Sequence, residues 1–180
     1  METIEMSLLS ELEKLVSSLE ADQSGTAKVS MPGLAEKIAR ELRVNPDEVA
    51  ILAVSLRWKH LHFLAPEALK NVGFIPLTST SSLAARTAKE SRPEINNDFI
   101  KARHASVFEG VKTETITGES IQKIISAPIL NDGKVVGVMQ VSRKGASPVS
   151  AGADFTAEDL GKVLALCGPV GKLLVHLAGE

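Results

Sequence analysis

The sequence has one cysteine, Cys167, one tryptophan and no tyrosine. A single cysteine excludes an intrachain disulfide and any multi-cysteine metal site. Five phenylalanines complete the aromatic set, which leaves few platforms for stacking bases. Neither sign of charge dominates: 20 basic and 22 acidic side chains give a formal net charge of -2. That balance supplies no field to draw nucleic acid or an anionic membrane. No apolar run approaches the roughly 20 residues that span a bilayer. The start, Met1-Glu2-Thr3-Ile4-Glu5, is acidic and lacks the basic residues and apolar stretch of a signal peptide. Lys144-Gly145-Ala146-Ser147 lacks the spacing of a phosphate-cradling loop. The expectation is a cytoplasmic protein with neither nucleic acid nor membrane as partner.

What is present suits one domain with an appendage. The chain has 180 residues, 44% of them apolar, enough for a substantial core. Residues 1–30 read as an amphipathic helix and a polar linker, and residues 31–180 as the domain. Leu8, Leu12, Leu15 and Leu19 fall on one helical face. A second helix starts near Pro32 with the stripe Leu34, Ile38 and Leu42. Val49 to Leu56 reads as a buried strand and His60 to Leu64 as its hairpin partner. Pro66 to Pro76 reads as a loop with some helical character. Thr78 to Ser82 is rich in capping residues, and Leu83 to Glu90 follows as a helix that Pro93 stops.

Asn131-Asp132-Gly133 between β-branched runs marks a hairpin of two strands, Ile121 to Leu130 and Lys134 to Arg143. A three-residue loop places Ile121, Ile125, Ala127 and Ile129 on the face of Val135, Met139 and Val141. The opposite face then carries Gln122, Ile124, Ser126, Val136, Val138, Gln140 and Ser142. A two-residue loop would flip the pairing. Thr156 caps a last helix running to about His176, with Asp159 in the place of the usual capping-box glutamate.

Three stretches, in this order, resemble the GAF family. Ala84 to Asp98 looks like its helix, proline and short strand ending in an Asn/Asp pair. Ser126-Ala127-Pro128-Ile129-Leu130 with Gly133 to Val141 is similar to its central hairpin. Asp154-Phe155-Thr156-Ala157-Glu158-Asp159-Leu160 looks like the start of its last helix. The resemblance implies an α+β fold, GAF-like and related to PAS. Its central antiparallel sheet carries the N- and C-terminal helices on one face. A ligand cavity lies on the other, covered by a helix and loops.

The resemblance also implies several chemistries, and the chain departs from each. Cyclic-nucleotide-binding members carry an Asn-Lys, Phe and Asp-Glu set. Here Ser142-Arg143-Lys144, Phe155 and Asp159 stand near it, with Leu160 in place of the glutamate. Members that attach a bilin use a cysteine near the pocket, and reductases of free methionine sulfoxide use several. Cys167, on the stripe of the last helix, fits neither. His60 and His62 share one strand face but lack a third ligand, so no metal site is expected. A helix-turn-helix reading of Leu34 to Ile51 fails because its second helix opens with two acids and is then apolar.

The expected function is that of a sensory or regulatory module, not an enzyme, with an unknown small-molecule ligand and no identified cofactor. Its pocket would lie between the mixed sheet face and the stretch Thr78 to Phe108. Ser126 and Gln140 would face it from the sheet, with Thr78, Arg86, Asn97, His104 and Phe108 around it. Truncating Gln140 should then affect ligand more than stability. A separate output protein would receive the signal. The alternative is a dimerisation or scaffold module with no physiological ligand. A homodimer is expected through the terminal helices. The last helix offers Leu160, Val163, Cys167, Val170, Leu174 and Leu177 as its seam, and the first helix either pairs between copies or folds back on its own last helix.

Overall fold

Strands β5 (Ser120–Asn131) and β6 (Lys134–Gly145) form the centre of the fold. The computed structural model describes residues 7–21, 30–71, 73–99 and 120–178. Asp132 and Gly133 alone make the turn, at φ 50° and 77°. That is a two-residue turn of the kind Asp-Gly favours, not the three-residue loop expected. It would put Met139 opposite Ser126, but the register shifts farther back. Ile129 pairs with Gly137 and Leu130 with Val135, which leaves Val136 as an extra residue. This bulge restores the expected faces of Met139 and Gln140, pairing Ala127 with Met139 and Ser126 with Gln140. Between bulge and turn the two valines exchange places: Val136 joins the terminal-helix core and Val135 faces the other side. A second shift at Gln122 turns Ile121 to that other side as well, against expectation.

The sheet has six strands in the order β3-β2-β1-β6-β5-β4, each pair antiparallel. Strand β1 is Val49–Ser55 and β2 is His60–Ala65. The edges are β3 (Phe74–Pro76), where a loop was expected, and β4 (Glu94–Asn96). Pro46–Glu48 forms a single 3-10 turn leading into β1, so the helix-turn-helix alternative is absent.

Helices α1 (Leu8–Ala21), α2 (Met31–Leu42) and α4 (Ala157–Ala178) pack on one face. Ile51, Ile125, Ile129, Met139 and Val141 meet Val163, Leu166, Val170 and Leu173 there. Helix α3 (Leu83–Glu90) lies on the other face over a separate core of Leu52, Leu61, Ile75, Ile124 and Val138. Local chemistry sets the starts. The Ser30 hydroxyl accepts from the Gly33 amide at 3.2 Å, and that of Ser82 from the Ala85 amide at 3.1 Å. Thr156 and Asp159 cap each other reciprocally, with aspartate in the glutamate's place.

Helix α1 folds back within its own chain. Leu8, Leu12, Val16 and Leu19 are buried in the core shared with α2 and α4, while Leu15 is half-buried. On α4 the buried stripe is Val163, Leu166, Cys167, Val170, Leu173 and Leu174. Leu177, expected in the seam, is exposed with Leu164 and Val175. By length and composition α4 is also apolar enough to cross a bilayer, although no such segment was expected. Of that apolar stretch, 39% is buried inside the fold.

The burial of Met139 beneath the terminal helices can be tested by mutation. Met139 is fully buried under the terminal helices. Met139→Ala should lower unfolding free energy in urea by about 2–5 kcal/mol, because the helices above cannot collapse into the space. Val149→Ala, at a side chain 91% exposed, should stay within about 0.5 kcal/mol. Equal effects at the two positions would refute this arrangement.

Candidate functional site

The α3 face contains a line of polar groups sealed inside apolar packing. Gln140 on β6 and Ser126 on β5 are fully buried, and Thr87 on α3 is 2% exposed. The Gln140 amide donates to Ser126 Oγ at 3.1 Å. Ser126 and Thr87 hydroxyls lie 2.7 Å apart, and Thr87 donates to the Leu83 carbonyl at 2.8 Å. A hydroxyl has one proton, so the order follows. Thr87 uses its proton on Leu83, hence Ser126 donates to Thr87 and accepts from Gln140. One directed chain therefore runs from the sheet into α3. Thr87 was not anticipated; its only signal is a threonine on the apolar face of a short helix.

This geometry changes the expectation for Gln140. It lies on the predicted face, opposite Met139, but its amide is part of the buried structure. Truncation would leave Ser126 without a donor in a dry layer, at a cost of about 1–3 kcal/mol.

The remaining predicted residues divide. Thr78 is exposed and lines a groove beside the β1–β2 turn and the end of α3. Arg86 is half-exposed and pairs with Glu94 at 2.6 Å, tying α3 to β4. Asn97 acts as a clamp: its amide donates to the Phe155 carbonyl at 3.0 Å and accepts from the Phe155 amide at 2.8 Å. Asn96 makes a turn of its own, accepting from the Asp98 amide at 2.9 Å. His104 and Phe108 lie outside the described residues.

The residues near the cyclic-nucleotide pattern have structural partners. Phe155 is buried, with the Arg143 guanidinium 4.4 Å from its ring centre. Lys144 reaches the Asp47 carbonyl at 3.2 Å, and Asp159 caps α4. His60 and His62 have ring centres 6.0 Å apart, and His60 stacks on Phe74 at 4.4 Å. They sit on the second strand, inside β3, not on the edge. Burial, and then the neighbouring His60, holds the His62 imidazole below its ordinary pKa. No cluster of three or more metal-ligating side chains occurs among the described residues.

A model of the GAF domain matches residues 20–172. Among solved structures, the chain is similar to the GAF domain of an Acinetobacter phosphoenolpyruvate-protein phosphotransferase. The two share 17% identity at a TM-score of 0.64, over 97% of this chain and 98% of that one. It is also similar to the GAF domain of a Bacillus halodurans two-component sensor histidine kinase, at 18% identity and TM-score 0.57, over 85% and 100%. A type II free methionine-R-sulfoxide reductase from Thermoplasma acidophilum has 14% identity and TM-score 0.56, over 92% and 95%. No curated protein sequence matches the chain.

The clamp at Asn97 is open to direct measurement. Asn97→Ala removes both bonds to the Phe155 backbone and should lower stability by about 1–3 kcal/mol. Amide exchange at Phe155 should speed up more than exchange in β5. An unchanged Phe155 rate would rule the clamp out.

Proposed function

The chain belongs to the GAF domain family, and from that premise we propose that it is a sensory or regulatory module. It binds a small molecule against the α3 face of the sheet and passes the signal to a separate protein. The supporting observation is the unequal covering of the sheet. Three helices seal one face, whereas α3, eight residues long, is the one described helix on the other. The Gln140–Ser126–Thr87 chain runs from the central strands of that face into α3. A ligand offering a donor or acceptor there would exchange bonds with the chain and shift α3. His104 and Phe108 would complete the site, with Thr78 at its margin; Arg86 and Asn97 hold the elements around it. The chain is placed in the cytoplasm, without membrane or nucleic acid as partner, in keeping with its net charge of -2.

The module is a homodimer in this reading. With α1 engaged in its own chain, the contact falls on exposed apolar side chains of α4, with Leu164 and Val175 on one side and Leu177 near its end, 40%, 42% and 38% exposed. Native mass spectrometry of the purified full-length protein tests ligand and assembly together. The expected species is a dimer with a retained small molecule. A dimer of bare chains, unchanged by metabolite mixtures, would favour the scaffold alternative, and a monomer would overturn the dimer.

The module is proposed not to be an enzyme, although the fold also occurs in a methionine sulfoxide reductase. Reduction of a sulfoxide through thiols needs an attacking thiolate and a second thiol to resolve it. Cys167 is the one cysteine, it is buried, and burial pushes its thiol up to about 12. It stays protonated at neutral pH and is a poor nucleophile. The protein should show no thiol-dependent turnover of free methionine-R-sulfoxide. Turnover that disappears in Cys167→Ser would contradict this.

A further inference from the structure

The groove beside the β1–β2 turn has an apolar floor, an open mouth and a basic rim. Val54, Leu77, Ala88 and Val135 line it, and Leu56 stands at its side 81% exposed. The recess measures about 390 Å³. Lys59 and Lys89 are the ionisable side chains that line it, and no carboxylate pairs with either among the described residues. Arg57, in the same turn, lies 5.0 Å from the ring centre of Trp58, itself 65% exposed. A chain of net charge -2 thus carries a local basic surface around exposed apolar side chains.

We infer that this groove docks a peptide segment of a partner protein, one carrying an apolar anchor flanked by acidic residues. The anchor fills the recess over Val54, Ala88 and Val135, and the acids meet Lys59 and Lys89. A small-molecule site normally buries most of its ligand. A recess whose side wall is a Leu56 left four-fifths exposed leaves its occupant in water, whereas a peptide covers the leucine as it binds. A bilayer presents a flat surface and would not enter a recess. Charge complementarity selects the acidic partner. The docking surface stands whether or not a ligand binds the interior face. Ala88 and Lys89 belong to α3, next to Thr87, so partner and buried polar chain share one short helix.

The test uses full-length protein and a short peptide of leucine, serine and glutamate, with the glutamates replaced by lysines as control. Amide shifts map the contact, and emission of the single Trp58 gives the affinity. The expected result is saturable binding of the acidic peptide, with shifts at Leu56, Ala88 and Val135. Lys59→Glu with Lys89→Glu should weaken it about tenfold, and added salt should weaken binding to the unaltered protein. Leu56→Ser, at an exposed position, should also weaken it while leaving the fold intact. Equal binding of the lysine peptide, no effect of the charge reversals, or no binding at all would overturn the proposal. So would a response confined to vesicles of phosphatidylcholine and phosphatidylglycerol, which would assign the surface to lipid. A response to protein concentration alone would assign it to a second copy.

Discussion

The close seating of α4 on the sheet is the constraint on which the other arrangements depend. A Cβ at Gly171 would collide with the Leu130 carbonyl, and one at Gly137 would stand 2.8 Å from Leu174 Cδ1. Helix and sheet therefore touch at two places where any side chain would hold them apart. Between these points Ile129 packs with Val170 and Leu174 in one continuous core. Interiors packed to this density do not absorb an added methyl group without local movement. The seating also decides which sheet face receives the terminal helices, and so leaves the opposite face to α3.

The bulge at Val136 makes that seating compatible with the Asp132-Gly133 turn. A two-residue turn alone would send Met139 to the α3 side and Gln140 beneath α4, placing a primary amide in the driest part of the core. One extra residue reverses the parity of the strand. Met139 then meets the helices, and Gln140 meets Ser126, whose hydroxyl passes the bond on to Thr87. Turn, bulge and buried polar chain are three consequences of one register.

The hairpin, the helix caps and the failure of the helix-turn-helix reading were legible because each rests on local chemistry. Asp-Gly, Ser82 and the Thr156–Asp159 pair act within a few residues. The face assignment of Met139 and Gln140 was legible from alternation, although the loop length behind it was not. Bulges have no local signal here: Val135 and Val136 are chemically identical, so nothing in the sequence tells which of them is extra. Strand β3, three residues with a proline, is too short for a pattern and is defined by its pairing with β2. The role of Asn97 was hidden for a different reason. Its partner, the Phe155 backbone, lies 58 residues away, and a backbone group leaves no mark on composition. The fold was therefore more readable than the site, since cores follow periodicity and sites follow distant pairings.

Helix α4 shows how one apolar pattern supports several readings that packing separates. Its composition passes for a membrane span, a bundle seam or a core helix. A span would need apolar side chains on every side, yet Lys162 and Lys172 are both exposed charges on this helix. A helix serving only the core would be polar on its outer face, and Leu164 and Val175 are not. The inner stripe, Val163 to Leu174, is taken by the sheet and α1. What remains outside it is a pair of apolar side chains, Leu164 and Val175, on a helix that also exposes Lys162 and Lys172. That is too polar for lipid and more apolar than water alone requires. Because the same helix rests on β5 through Gly171, its seating fixes the strand that carries Ser126. The helix is therefore the physical link between the terminal-helix core on one face of the sheet and the buried polar chain on the other.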